Sequence, residues 1–550
     1  MAQLDSRTEP KITALDDAEA RVLSSDASAT ASDDTWKAGR AEILTVICLS
    51  IVSLIVALDS TILVPVLPTL AVALNGSAIE TFWAGTSFLL ASSTFQPFIG
   101  ALSDVFGRRE LLLLSIFLFA LGTLVACLSH GFAQFLAGRT IQGVGGGGIT
   151  TLVLVICTDI IPLRQRPKFT SFMQISWALG TVSEPLIGAA FAEYVSWRWI
   201  FYINFPLCGI GGLMAFLVIR FQERHRSWAT KFSEVDWTGG ILFISSTTAF
   251  LLGITWGGVQ YAWSSYQTLL PLLLGIVGVV ATLFWEVRYA KNPFIRKTLF
   301  NNLSNLSSYI CALLLGLLLY AELFYIAFYL LSVKGLSPMM AGVYFTPITA
   351  GLIPASMAVG IAISRLGRFR WAIWSAWAVN LLGAGLLIIL DVETKRYAMI
   401  LIFLVVGIGT GPLVTSLNFG IQANTKVEDV AYASALFAFL RSVGMCLGVA
   451  IGGTIFQNEL SRELRKAGLP SQISQDAEGY VATLNRLPSN SPFRLQVLQA
   501  YASSFRTLFI VLTAICAASG IISIFISHNS LDKALGSEHV LQRKRSAAES

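Results

Sequence analysis

Five ionisable residues stand inside long apolar runs: Asp59, Arg139, Glu184, Glu322 and Arg441. An ionisable side chain at membrane depth costs several kcal/mol unless it is paired or hydrated, so each is a functional candidate for proton coupling or substrate contact. A carboxylate can take up and release a proton. An arginine stays charged and can only bias a neighbour that titrates. At about 1.5 Å rise per residue, Asp59 lies roughly 24 Å above the inner end of its run, Glu184 roughly 22 Å and Arg139 roughly 20 Å. Asp59 or Glu184 is therefore placed to pair with Arg139 when ionised and to release it when protonated, which is a proton switch. A permanent salt bridge that only locks helices is the alternative. No acidic pair of the DDxxD kind and no HExxH zinc motif is present, and His130, His225, His528 and His539 fall in loops or tails. An intramembrane enzyme is disfavoured on that ground.

These residues need elements that hold them in a bilayer. Of the 550 residues, 55% are apolar and 13% are charged. Soluble domains carry about 25% charged residues, and the mean hydropathy of +0.68 points the same way. Fourteen runs are long enough to cross a membrane: 43–67, 80–102, 111–129, 132–160, 169–192, 199–219, 237–256, 267–287, 305–331, 340–363, 371–390, 397–420, 430–457 and 504–527. The reading is an all-α membrane protein. The seven cysteines fall inside these runs without a metal-ligand spacing, so neither a disulfide framework nor a metal site is expected. No cofactor and no nucleic-acid partner is expected.

Lys and Arg set the orientation. One set of loops holds Arg108, Arg109, Arg164, Arg166, Arg365, Arg368 and Arg370 among others; the short loops opposite hold only Arg198, Lys334, Lys395 and Arg396. Both termini are then cytosolic. No cleavable signal opens the chain, so the first span is expected to remain as an anchor. The loop 458–503 is expected outside, with Leu460, Leu464 and Leu469 beside Arg462, Arg465 and Lys466 forming an amphipathic helix on the membrane surface. Asn75-Gly76-Ser77 is a weak glycosylation sequon on the first outside loop.

The chain repeats itself. Gly100-Ala-Leu-Ser-Asp104-Val-Phe-Gly107-Arg108-Arg109 recurs 260 residues on as Gly360-Ile-Ala-Ile-Ser364-Arg-Leu-Gly367-Arg368. Gly143-Val-Gly145-Gly-Gly147 returns as Gly407-Ile-Gly409-Thr-Gly411, and Gly180 and Gly188 return as Gly444 and Gly452, each 264 residues on. Spans 1–6 and 9–14 are thus two related six-helix halves, with spans 7 and 8 inserted between them. The glycine cluster Gly143–Gly148 lacks the Lys-Ser/Thr end of a phosphate loop and is read as helix packing. Trp177, Tyr320, Phe324 and Tyr325 are candidates to line an apolar cavity.

At these motifs the chain resembles the major facilitator superfamily, and within it the 14-span drug:proton antiporter branch in its fungal efflux-pump form. Four stretches carry the likeness: Leu58-Asp59-Ser60-Thr61-Ile62 with Leu67-Pro68; the loop from Gly100 to Arg109; Arg139-Thr140-Ile141-Gln142-Gly143; and Gly180 to Gly188 followed by Trp197-Arg198-Trp199-Ile200-Phe201-Tyr202-Ile203-Asn204. Glu184 before Pro185, and Ala189 after Gly188, stand where the family usually has glycine. The resemblance implies a major facilitator fold of 14 transmembrane helices (6+2+6) in two pseudo-symmetric halves. It divides the chain into a disordered cytosolic tail at 1–41, a half at 42–220, inserted helices and linker at 221–300, a half at 301–527 and a cytosolic tail at 528–550. It implies a monomeric secondary transporter in the plasma membrane, or else a vacuolar or endosomal one, that exports a small amphipathic molecule against inward protons. A siderophore or basic amino-acid carrier of a related branch is the alternative. Gly100, Asp104, Gly107, Arg108 and Arg109 would form a gate, with Asp159 a reachable partner of Arg108; Gly180, Pro185 and Gly188 would form the antiporter motif.

Overall fold

The computed structural model describes residues 38–60, 63, 66, 70, 71, 73–221, 227–258, 260–488 and 491–531. The side chains of Glu184, Pro185 and Ala189 lie outside the described residues, as do Thr61, Ile62, Leu67 and Pro68 of the first-span motif.

Each apolar run is helical over most of its described residues. The long helices are α1 (Arg40–Ser60), α2 (Ala78–Phe106), α3 (Arg108–Cys127), α4 (Phe132–Ile160), α5 (Arg166–Tyr194), α6 (Trp199–Val218), α7 (Trp237–Trp256), α8 (Tyr266–Arg288), α9 (Leu303–Ser332), α10 (Pro338–Leu366), α11 (Arg370–Leu387), α12 (Arg396–Asn424), α13 (Val430–Lys466) and α14 (Pro492–Ser523). Eleven of them are long and apolar enough to cross a membrane by length and composition; α2, α5 and α11 are outside that group. Helix α2 carries the reason on its inner face, where Ser93, Thr94 and Gln96 are fully buried. Polar groups there are turned to protein, where they find partners that lipid does not offer.

Glycine spacing explains how the helices pack. Apolar side chains gain little by leaving lipid for one another, so close backbone approach through small residues takes over. A Cβ on Gly143 or Gly147 would collide with the backbone of α2 at Phe88 and Ser92, and one on Gly145 with α3 at Phe119. In the second half, Gly407 and Gly411 meet α10 at Ile348 and Leu352, and Gly409 meets α11 at Asn380. The same register therefore serves the same contacts in both copies. Likewise Gly180 lets α5 approach α1 at Ala57, and Gly444 lets α13 approach α9 at Leu313.

The inserted pair lies against the seam between the halves. Phe98 of α2 packs on Trp237 of α7 at 5.9 Å between ring centres, and Phe243 of α7 packs on Phe439 of α13 at 5.2 Å. Helix α8 touches α7 through Gly253, Gly275 and Gly278 and turns Leu270, Leu274, Val277 and Phe284 outward. Such a face suits lipid.

The segment expected as a loop at 458–503 is shorter. Between Gly453 and Gly468 no glycine or proline interrupts the helix, so α13 continues to Lys466 and ends before Gly468, whose φ is +69°. Leu460 and Leu464 are buried in the second-half core with Phe456, while Arg462, Arg465 and Lys466 are exposed. The expected surface-lying helix is thus the last turns of α13, with one face buried against protein. A separate short helix, Ala477–Arg486, follows, and Tyr501 of α14 donates to Ala477 O at 2.7 Å.

Candidate functional site

Arg139 projects from α4 into a fully buried polar cluster. One guanidinium nitrogen, Nη1, donates both to Asp59 Oδ2 of α1 and to Gln142 Oε1, the latter at 2.7 Å. Its Nη2 reaches Asp59 O at 3.4 Å. Asn204 of α6 donates from Nδ2 to Asp59 Oδ1 at 3.1 Å, so both carboxylate oxygens are occupied. Gln142 passes the chain on, donating to Thr123 Oγ1 of α3 at 2.9 Å. Asp59 and Arg139 are each 0% exposed. The guanidinium plane lies 4.6 Å from the ring centre of Phe88 on α2. Four helices thus hang on one ion pair, and any change in Asp59's charge is felt by all of them.

On the far side of Phe88 is a cavity. Val56, Phe88, Thr150 and Trp177 line it from the first half, and Tyr320, Arg441 and Ser442 from the second. It continues into a second hollow that shares Val56, Thr150, Trp177 and Arg441 and adds Gln174 and Asn418. The cavity therefore lies between the halves, one aromatic ring from the Asp59–Arg139 pair. Of the candidate aromatics, Trp177 and Tyr320 line it, whereas Tyr325 donates to Val449 O at 3.0 Å and stacks on Phe456.

A second charged cluster closes the end of the bundle that carries the basic loops. Arg108 donates from Nε to Asp159 Oδ2 at 2.9 Å and from Nη2 to Asp104 Oδ1 at 3.1 Å, with Nη1 on Ser103 Oγ at 2.6 Å. Tyr432 of α13 donates to Asp104 Oδ2 at 3.0 Å, which joins this cluster to the other half. Arg296 lies over the Tyr432 ring at 4.0 Å and binds Asp429 Oδ1 at 2.5 Å. Arg166 of α5 bridges the halves again, donating to Gln422 Oε1 of α12 at 2.9 Å. Gly100 brings α2 within 3.1 Å of Ala435 on α13, measured from an added Cβ. Gly107 acts differently: its φ of +115° makes the turn between α2 and α3. Arg109 stays outside the cluster and holds the end of α6 through Phe216 O at 2.9 Å.

The second copy of the loop has no such cluster. Ser364 replaces Asp104, and Ala423 stands 264 residues after Asp159, so Arg368 finds neither carboxylate and is exposed. Glu322 of α9 does not join the Arg139 site; it is buried with Oε1 unpartnered, in the neighbourhood of Cys516 on α14. Gly188 is buried on α5. Asn75 is exposed in a turn at φ +51°, while the Ser77 hydroxyl of its sequon caps α2 and donates to Glu80 at 2.9 Å. Sequence reasoning missed Phe88, Tyr432 and the Arg296–Asp429 pair. Gln142 and Asn204 stood inside quoted motifs and could have been found there. Tyr432 carries no sequence signal, since its partner is 328 residues away.

Two equivalent helix bundles, a cavity at their seam and an ion pair sealed beside it define a membrane transporter. The chain belongs to the Major Facilitator Superfamily, whose description matches residues 49–449. It is 41% identical over 530 residues to MFS transporter L2 of a Phoma species, covering 95% of this chain and 88% of that protein. It is 30% identical over 507 residues to efflux pump FUS6 of Gibberella fujikuroi, covering 91% of each. Among solved structures, a bacterial homologue of the human lysosomal transporter Spinster, inward-facing and occupied, superposes with a TM-score of 0.55 at 16% identity, covering 89% of this chain and 97% of that one. That likeness shows the fold alone.

Proposed function

We propose that this protein is a proton-coupled exporter of a small amphipathic molecule, working by alternating access. The observation that carries the reading is the Asp59–Arg139 pair, sealed from water and one phenylalanine ring from the cavity between the halves. With Asp59 ionised, α1, α4 and α6 are drawn together by its two side-chain partners, Arg139 and Asn204. A proton on Asp59 cancels the ion pair and leaves Arg139 with Gln142 and the Phe88 face. Phe88 would carry that change to the cavity wall. The cross-half bonds of Tyr432 and Arg166 hold the basic end shut, and they must break for substrate to enter from that side.

In this reading the basic end and both termini are cytosolic, all fourteen helices cross the plasma membrane, and the connection after α13 is outside. Residues 42–220 and 301–527 move against each other with 221–300 between them. The protein acts as a monomer without a cofactor, is not an enzyme, and draws its energy from the proton gradient. Efflux is favoured over a siderophore or amino-acid carrier because relatives over most of the chain bear efflux-pump names. Uptake of a fluorescent amphipath into inside-out vesicles with an acid lumen is the test. An uncoupler should abolish uptake, and uptake that ignores the uncoupler would remove proton coupling from the reading.

A further inference from the structure

We infer that the central cavity selects an organic anion, a carboxylate on an apolar body, and that Arg441 is the residue that binds its charge. The inference rests on the reading of this cavity as the substrate site.

Arg441 is 8% exposed, yet among the described residues it has no carboxylate. The other buried arginines described above are all satisfied: Arg139 has Asp59, Arg108 has Asp104 and Asp159, and Arg166 has Gln422 Oε1 with the carbonyls of Ile161 and Thr158. Among the described residues, no hydrogen bond or ion pair reaches Arg441, and its Nε is without a partner. What surrounds the guanidinium is aromatic: Phe437 with its ring centre at 5.7 Å and Trp177, across the cavity on α5, at 6.0 Å. Such faces tolerate a cation but do not neutralise it. Arg441 is the one charged side chain among the described residues lining the cavity.

The obvious internal counter-ion is turned elsewhere. Glu322 lies two residues beyond Tyr320 on α9, and residues two apart on a helix point to opposite sides. Tyr320 faces the cavity, whereas Glu322 lies toward Cys516 of α14. Among the described residues, the charge on Arg441 is therefore left for a ligand. A planar guanidinium suits a carboxylate by two parallel hydrogen bonds. Gln174 and Asn418 add amide donors, and Val56, Phe88 and Met445 supply apolar wall for the rest of the molecule.

The test uses the full chain in lipid nanodiscs near neutral pH, with dansylglycine as an amphipathic carboxylate and dansylglycinamide as its uncharged twin. Dansyl fluorescence reads the binding of each. The wild-type protein should bind the carboxylate at least about tenfold more tightly, a difference of about 1.4 kcal/mol. Arg441→Gln should bring the two probes to within about twofold by weakening the carboxylate alone, since amide binding does not use the charge. Arg441→Lys should keep part of the preference. A wild-type protein that binds both probes equally, or the amide better, or neither, overturns the inference, as does a preference that survives in Arg441→Gln. Should Arg441→Gln bind neither probe, Arg441→Lys decides: preference retained supports the assignment, and preference lost with amide binding intact overturns it. Vesicle uptake separates this from the export reading. Gradient-driven uptake of the amide without carboxylate preference refutes only the anion site. Carboxylate preference in nanodiscs without uptake refutes only export.

Discussion

Replacing Tyr432 by phenylalanine should loosen the basic end by a calculable amount. The hydroxyl makes one bond across the halves, to Asp104 Oδ2 at 3.0 Å, and the ring remains to support Arg296. A hydrogen bond to a charged group contributes about 1.5–3 kcal/mol net. The Asp104 side chain is 36% exposed, so water replaces part of what the tyrosine gave, and the lower figure applies. About 1.5 kcal/mol is roughly a tenfold rise in the population open at that end, provided the open state makes no substitute bond. Arg108 keeps Asp159, so the cluster itself survives.

Cys446 reports the opening. Its sulfur lies 3.5 Å from Ser93 Oγ, on the same α2–α13 seam, and it is 6% exposed. With the other six cysteines changed to alanine, a membrane-impermeant maleimide added to inside-out vesicles labels Cys446 only when the basic end opens. Tyr432→Phe should raise that labelling rate about tenfold. An unchanged rate in a variant of normal abundance would refute the claim that this bond holds the end closed.

Arg139→Ala should abolish uptake against a gradient while the fluorescent substrate still binds, and Arg139→Lys should recover part of it, because the charge stays but the planar fork is lost; vesicle uptake with and without a pH gradient measures both. Asp104→Asn and Arg108→Ala should leave the protein in the membrane at normal abundance but slow transport, and a normal rate in either removes the gating role. Gly407→Ala should cost about 1–3 kcal/mol or more by forcing α12 from α10, read as a lower melting temperature in detergent, whereas Gly385→Ala, with open space beside it, should leave the melting temperature unchanged. If one proton exchanges for one monoanion, a lumen-positive potential of about 100 mV on inside-out vesicles should add about 4.6 kcal/mol of driving force, against about 2.3 for an uncharged substrate; equal voltage dependence for the two dansyl probes would exclude that stoichiometry.

The helices were legible because each must satisfy its own backbone in lipid, and that writes a long apolar run into the sequence. The duplication was legible because glycine at a helix contact tolerates no substitute, so Gly143, Gly145 and Gly147 and their partners 264 residues on keep their spacing. The pairing of Arg108 with Asp104 followed from charge and proximity in sequence, and that with Asp159 from its place at the same end of the fourth span. The cross-half bonds did not. Tyr432 and Gln422 are ordinary polar residues whose partners lie hundreds of positions away, and their meaning depends on how two bundles dock. Leu460 and Leu464 misled for another reason: beside Arg462, Arg465 and Lys466 they read as one face of a surface helix, but an uninterrupted helix end buried in protein gives the same pattern.

The two halves have kept the glycines that hold each bundle and diverged at the charges. Arg139 becomes Phe403, Asp104 becomes Ser364 and Asp159 becomes Ala423, so the sealed ion pair and the gate carboxylates belong to the first half alone. Arg441 reverses the pattern: 264 residues before it stands Trp177, and the two equivalent positions meet across the cavity. Residues related by the duplication are expected to face each other at the axis between the halves, which is where a substrate must sit if both halves are to grip it. One partner there is an aromatic face and the other a bare cation. On the proposed reading, the first half holds the titratable pair that a proton breaks, the second presents the charge that a ligand satisfies, and Phe88 lies between them. Neutralising Asp59 and filling Arg441 are then separate events on opposite halves, and only their joint effect on the seam can couple one to the other.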